Sequence, residues 1–440
     1  MRYPGVCLGI LFSCLALLLA CSGGGGGGSA VPQNPDHLMG GSIQGTALQL
    51  TPTVSTFAGT AGGTNGTGAA ARFNAPMGIA SDGTYLYVAD PTENQIRRIE
   101  ISTGAVTTLA GTGAQGALDG EGTAATFSSP DGIAFVGANL YVTEVGNNKI
   151  RKIVIATGVV TTLAGSGEYG AADGAGLTAT FNHPCGITTD GTNLYVTDVY
   201  NYKIRQIVIA TGMVSSLTGT ANTPSTLGVS DGPGSGATFN GVSGITTDGT
   251  NLYVADTGNQ KIRKIVIATG VVSSFTGAAS IASTAGAVDG PSSGATFNFP
   301  RGITTDGTNL YVADTSNFKI RMIVIATGVV SSFTGTSDTV GTVGAMDGSA
   351  VSATFAAPFD ITSDGTNLYI VDMNNDKIRK IVIATGVVSS VTGTADSRSA
   401  EGAADGPGAM ATFNYPYGIT TDGTALYVPD TGNDTIRKIQ

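Results

Sequence analysis

One frame of 38 residues recurs along this chain without an internal insertion or deletion: a Phe, an acid 17 residues on, and a Gly 21 residues after the acid. The pairs are Phe73/Asp90, Phe127/Glu144, Phe181/Asp198, Phe239/Asp256, Phe297/Asp314, Phe355/Asp372 and Phe413/Asp430. The first six copies continue to Gly111, Gly165, Gly219, Gly277, Gly335 and Gly393. All length variation lies between the closing Gly and the next Phe, at offsets of 14, 16, 16, 20, 20, 20 and 20 residues. Repeats of this size bury no core alone and must stack on their neighbours.

Within a copy the local signals are β. The fourth reads Gly244-Ile-Thr-Thr, the turn Asp248-Gly-Thr, Asn251-Leu-Tyr-Val-Ala, the loop Asp256-Thr-Gly-Asn-Gln, Lys261-Ile-Arg-Lys-Ile-Val-Ile, the turn Ala268-Thr-Gly and Val271-Val-Ser-Ser-Phe-Thr. These are four short strands rich in β-branched and aromatic residues, separated by Gly, Asp and Asn turns. Outside the N-terminal leader no segment sustains a helical apolar period. Four antiparallel strands per repeat describe a propeller blade. A parallel β-helix is the rival, but its rungs are shorter and lack two-residue hairpin turns.

The chain ends set the count. Strands a, b and c occur seven times, the last set ending at Ile436-Arg-Lys-Ile-Gln440, with no fourth strand after it. The first fourth-strand motif, Val54-Ser-Thr-Phe-Ala-Gly59, precedes any such set. The fold predicted is therefore all-β: a seven-bladed propeller of four-stranded antiparallel blades over 51–440, closed by the N-terminal strand completing the last blade beside Lys438. Closure removes two free edges that invite aggregation.

Asn-Leu-Tyr-Val-Ala-Asp, the following Asn and Ile-Arg-Lys-Ile, with Phe-Asn-x-Pro-x-Gly-Ile before them, resemble the NHL-repeat family across essentially all of 54–440. The best-known NHL propellers have six blades, so seven is a departure. The resemblance implies, for many members, a binding platform; a minority, with related lyases and lactonases, are metal-dependent enzymes. Fold likeness alone does not settle function.

The front of the chain carries a separate message. Arg2 precedes an apolar run from Val6 to Leu19, then Leu18-Leu-Ala-Cys21. This resembles a bacterial lipoprotein signal over 1–20, with Cys21 lipidated; the run is short for a membrane span. Residues 21–50 open with Cys21, followed by Ser22, six glycines and Ser29, a composition that behaves as a flexible tether. Residue 22 is not Asp, so by resemblance to enterobacterial sorting the expected destination is the outer membrane, on an unspecified side, with lipid as the only membrane contact.

Removal of Cys7 and Cys14 with the leader leaves Cys185 as the one cysteine of the folded part. No disulfide framework and no Cys-pair spacing for zinc or haem is present. The 31 acids against 21 bases give a net charge of −10, and no basic stripe exists to meet phosphate, which disfavours nucleic acid. A monomer is expected.

Seven strand-c arginines (Arg97, Arg151, Arg205, Arg263, Arg321, Arg379 and Arg437) lie seven residues after the seven acids. An intra-blade carboxylate–guanidinium pair that pins the b–c loop explains this spacing. Asp-Gly at 119, 173, 231, 289, 347 and 405, with Asn65-Gly66 at the same offset, reads as turn chemistry. A calcium site there would need six to eight converging oxygens. Phe73 and Tyr87, with their equivalents, read as core wedges.

Function is better sought where copies differ. Ser243–Gly277 and Arg301–Gly335 share 31 of 35 positions, and most differences fall on the face of the d–a and b–c loops. Variable loops on a fixed scaffold mark the expected binding surface. The residue before Gly-Ile, at the rim of the central channel, runs Met77, Asp131, Cys185, Ser243, Arg301, Phe359 and Tyr417. Nearby aromatics absent from other copies are Tyr169, Tyr200, Tyr202, Phe299, Phe318 and Tyr415. Exposed aromatics beside Arg are suited to anchoring a protein or glycan partner.

The alternative is a metal-dependent lyase or lactonase at the channel. Only His37 and His183 exist; His183-Pro-Cys185 supplies two soft ligands where zinc needs at least one more. Asp131 and Asp360 are the carboxylates placed near the axis. No catalytic residue, metal ligand or cofactor is assigned.

Overall fold

A computed structural model describes residues 47–280 and 283–440. Seven antiparallel sheets follow one another along the chain, each with strands in the order a-b-c-d from the inside outward. In blade five these are Pro300–Thr305, Asn309–Asp314, Lys319–Val324 and Val330–Ser332. Ile303 opposes Val312, Val312 opposes Arg321, and Arg321 opposes Ser332. The a–b turn forms because Asp306 Oδ1 accepts the N–H groups of Thr308 and Asn309, at 2.8 and 2.6 Å.

The ring closes as the chain ends require. Thr53–Ala58 pairs antiparallel with Thr435–Ile439, with Val54 opposite Ile439, Ser55 opposite Lys438 and Thr56 opposite Arg437. Blade seven thus takes its outer strand from the start of the propeller. Packing begins slightly earlier: Leu48 is buried and its N–H donates to Asp364 Oδ2 at 2.9 Å.

Side chains alternate along each strand, so each blade buries both faces. Tyr253, Ala255 and Ile262 of blade four pack against Phe297, Ile303, Leu310 and Val312 of blade five. Leu252, Val254 and Ile265 face blade three instead, against Tyr195 and Ile204. The repeated Phe and Tyr are fully buried, as the core-wedge reading expects. In six blades the Tyr hydroxyl also donates to the a–b turn Asp, at 2.7–2.9 Å.

The repeated charges form one module. In blade five Arg321 Nη1 donates to Asp314 Oδ2 at 3.0 Å and to the Thr296 carbonyl at 2.9 Å. Its Nη2 donates to Asp289 Oδ1 at 2.6 Å and to the Val288 carbonyl at 2.9 Å. The guanidinium lies over the Phe297 ring, 4.8 Å from its centre. The b–c pair is as expected, but the Asp-Gly reading needs correction. The Asp of Asp-Gly is the second carboxylate on each Arg in blades two to seven. The Gly after it bridges to strand d of the same blade, as Gly290 does to Val330. The d–a segment therefore wraps the outer edge of the blade it enters. Blade one has Asn65 there, and its Arg97–Asp90 contact is the longest of the seven, at 3.4 Å.

The length-variable part is also anchored. In the four long copies Asn222, Ser280, Asp338 and Asp396 adopt left-handed φ of 60°, 52°, 57° and 59°. Their side chains accept the N–H of Asp173, Asp231, Asp289 and Asp347 in the preceding segment. The leader 1–20, Cys21 and most of the tether, including His37, lie outside the described residues. Among the described residues no helix is long and apolar enough to cross a membrane.

Candidate binding face and channel mouth

Strand a is innermost, and neighbouring blades approach most closely there. A Cβ on Gly302 would stand 2.6 Å from the Phe359 carbonyl oxygen, and one on Gly132 would stand 2.5 Å from that of Cys185. Glycine at this place lets each strand a pack on the next blade's rim residue. Blade six departs, with Asp360 in the glycine position. Asp360 Oδ2 accepts the Ile419 N–H at 3.2 Å, while its buried Oδ1 has no partner.

This convergence changes the picture of the rim. Met77, Asp131, Cys185, Ser243, Phe359 and Tyr417 are buried, and Arg301 is part-buried. Variability there is not a sign of free exposure: rim side chains pack sideways on their neighbours. The Phe359 and Tyr417 ring centres are 5.0 Å apart, and Met77 joins the same cluster. The Arg301 guanidinium lies over Phe359 at 5.0 Å. On the other side the Cys185 sulfur is 2.9 Å from Asp131 Oδ2, and Ser243 Oγ is 2.6 Å from Thr257 Oγ1. The rim thus has an aromatic–cationic half, blades five to seven with blade one, and a polar half, blades two to four. Burial pushes Asp131 and Asp360 each up to about 7, because a carboxylate shielded from water favours its neutral form. Burial likewise lowers Arg301 from its ordinary value.

A second feature of this face went unread in the sequence. The residue ending each b–c loop is Asn94, Asn148, Tyr202, Gln260, Phe318, Asp376 or Asp434, all with φ between 51° and 58°. In five cases its side-chain oxygen accepts an N–H from the residue leading into the next blade. Ser129 donates to Asn94 at 3.0 Å, His183 to Asn148 at 2.9 Å and Phe299 to Gln260 at 2.6 Å. Tyr415 donates to Asp376 at 3.1 Å, and Ala75 to Asp434 at 2.8 Å. The signal was available: Asn and Asp tolerate left-handed backbone, and a polar residue precedes the Ile-Arg strand in those copies. Tyr202 and Phe318, expected as binding residues, are the two aromatics that replace this latch. Both are half-buried, and the opposing residues are the small Gly241 and Ala357.

Tyr200 is half-buried and meets the His183 ring edge-on at 4.4 Å, while Tyr169 stacks on that ring at 5.9 Å. His183 therefore sits in an aromatic cluster, its Nδ1 3.0 Å from Asn182 Oδ1, and burial lowers its pKa. Only Tyr169, Phe299 and Tyr415 among the described aromatics are exposed, at 67, 45 and 53%. All three stand in d–a segments, on the loop face. Among the described residues no three His, Cys, Asp or Glu side chains come together to hold a metal ion.

Fold and site together define a seven-bladed propeller of four-stranded antiparallel blades whose side-chain diversity is gathered at one face. No family model matches the chain. It is 31% identical over 294 residues to human (Homo sapiens) NHL repeat-containing protein 2, covering 59% of this chain and 40% of that one. It is 30% identical over 275 residues to the chloroplastic protein SUPPRESSOR OF QUENCHING 1 of Arabidopsis thaliana, covering 59% and 26%. The chain thus spans less than half the length of these curated relatives. Among solved structures, virginiamycin B lyase from Staphylococcus aureus matches with a TM-score of 0.53 and 17% identity, over 83% of this chain and 95% of that one. An auxiliary nutrient binding protein from Bacteroides thetaiotaomicron matches with a TM-score of 0.50 and 16% identity, over 89% and 77%. At these identities the structural matches speak for the fold alone.

Proposed function

We propose that this protein is a binding scaffold that presents its loop face to a protein or glycan partner. The observation carrying this reading is that the exposed aromatics among the described residues, Tyr169, Phe299 and Tyr415, all stand on that face. Exposed aromatic rings are poorly suited to water and well suited to stacking on a partner. The opposite face presents the repeated Asp-Gly-Thr and Ala-Thr-Gly turns and offers little to discriminate one partner from another. The rim residues and Tyr200, Tyr202 and Phe318 shape the floor of the same face. In this reading Cys21 carries lipid and holds the propeller at the outer membrane, with residues 21–50 as lipidated Cys and tether.

The test is a glycan array and an envelope-protein capture with wild type and with Tyr169→Ala/Phe299→Ala/Tyr415→Ala combined. Binding lost in the triple variant at unchanged thermal stability supports the scaffold. Undiminished binding places the partner elsewhere. For the anchor, Cys21→Ser releases the protein from the membrane fraction, since stable anchoring needs the acylated Cys; retention after a salt wash refutes it.

A further inference from the structure

The fully buried arginine in the body of each blade is matched. Each of the seven strand-c arginines holds at least one carboxylate, and six hold two. Arg301 is different. No carboxylate lies within ion-pair distance of it among the described residues, and its Nη1 is buried without a hydrogen-bond partner. Asp360 is the acid beside the neighbouring Gly302, where a Cβ would lie 3.3 Å from its Oδ1. Yet Asp360 gives its other oxygen to a backbone N–H and makes no ion pair with Arg301.

Blade four shows that the fold does not need this arginine. The equivalent Ser243 binds Thr257, and Thr257 Oγ1 donates to the Pro300 carbonyl at 2.7 Å. In blade five Thr315 makes the same donation to Pro358 at 2.8 Å without help from Arg301. The guanidinium instead lies over Phe359, which contacts Tyr417 beside Met77. A buried guanidinium nitrogen without a hydrogen-bond partner is unfavourable, and guanidinium geometry matches a carboxylate in two-point contact. Its neighbours supply apolar and aromatic surface rather than further cations, which suits an anion with an apolar body better than inorganic phosphate.

From this geometry we infer that the channel mouth at blades five to seven binds a small organic anion, an aryl or otherwise apolar carboxylate, with Arg301 as its counterion. The inference rests on the reading of this face as a binding face and adds the class of ligand.

The test is calorimetric titration of the full chain with benzoate, phenylacetate, 4-hydroxyphenylacetate and indole-3-acetate, with inorganic phosphate as a second probe. At least one aryl carboxylate is expected to bind more tightly than phosphate. Arg301→Ser, the residue blade four already carries, is expected to weaken that binding at least tenfold with an unchanged melting temperature. Phe359→Leu is expected to weaken it less. Failure of every aryl carboxylate to bind overturns the inference, as does phosphate binding at least as tightly, or full binding by Arg301→Ser. If the triple loop variant loses its partner while no carboxylate binds wild type, this inference fails and the scaffold stands. If the carboxylate binds through Arg301 while the triple variant keeps its partner, the loop-face reading fails instead.

Discussion

Blade five holds two arginines 20 residues apart that sit in opposite circumstances. Arg321, in the blade body, is enclosed by two carboxylates, two carbonyls and the Phe297 ring. Arg301, at the channel mouth, lies over the Phe359 ring and makes no ion pair among the described residues. Arg321 recurs in every blade because its partners come from three separate stretches and tie them together. Arg301 occurs once because nothing in the scaffold asks for it. The same side chain is therefore structural where the repeat supplies its partners and available for binding where it does not.

The severest way to break the blade body is to remove its closing strand. Deletion of residues 51–59 exposes the edge of Thr435–Ile439 and unpacks Val54 and Ala58. The expected outcome is aggregation or loss of cooperative unfolding, because neighbour interfaces carry the stability of repeat proteins. A cooperative melt at the wild-type temperature would show that closure is dispensable.

Next comes the comparison itself. Arg321→Ala leaves Asp314 buried without its cation, and removing one member of a buried pair typically costs about 3–5 kcal/mol. Arg301→Ser is expected to stay within about 0.5 kcal/mol of wild type. Denaturant unfolding of both variants measures the gap, and equal losses would collapse the distinction between the two arginines.

A smaller effect distinguishes the rim acids by pH. Asp131 and Asp360 are raised from 3.8 to about 7, so the folded state holds their protons more tightly than the unfolded chain. Their contribution to stability is fully present below about pH 4 and is lost as pH rises through about 7. Asp131→Asn and Asp360→Asn should therefore match wild type below about pH 4 and exceed it at pH 8, by roughly 1–3 kcal/mol. Paired melts at the two pH values decide this, and a variant less stable at pH 8 reverses the sign.

The smallest expected change is in the inter-blade latch. Gln260→Ala removes the acceptor for the Phe299 N–H and should cost about 0.5–1.5 kcal/mol. Phe318→Gln, which offers Ala357 a latch, should change stability by less than that while altering the binding face. Thermal melts with the glycan and protein binding assays separate the two effects.

Much of the blade body was legible because its signals are local and repeated seven times. The strand pattern, the a–b turns, the Arg321–Asp314 spacing and the closure by Val54–Ala58 can each be read within a short window or from the chain ends. Asp289 was misread as turn chemistry alone because its partner Arg321 lies 32 residues away, across the blade edge. The rim positions were identified, but their burial was not. Phe359 and Tyr417 are 58 residues apart and meet only because seven strands converge on one axis. Variation at Arg301 or Tyr417 looks the same in a sequence whether the side chain faces water or a neighbour. The Asn148 and Gln260 latches left a readable trace, a polar residue at a left-handed position, yet their acceptor role required the adjacent blade.

The pairing of Val54 with Ile439 also sets a clock. As the chain is made, Thr53–Ala58 emerges before the other described strands and finds its partner only when nearly all of them have followed. Blades one to six can assemble on one another in the meantime, since their contacts are near in sequence. The ring itself cannot shut until the last strand appears, and long-range pairing of this kind is slow to form. Through that interval the earliest strand remains an open edge. Its alternation of Thr and Ser with Val and Phe, rather than a continuous aliphatic run, makes that wait less hazardous.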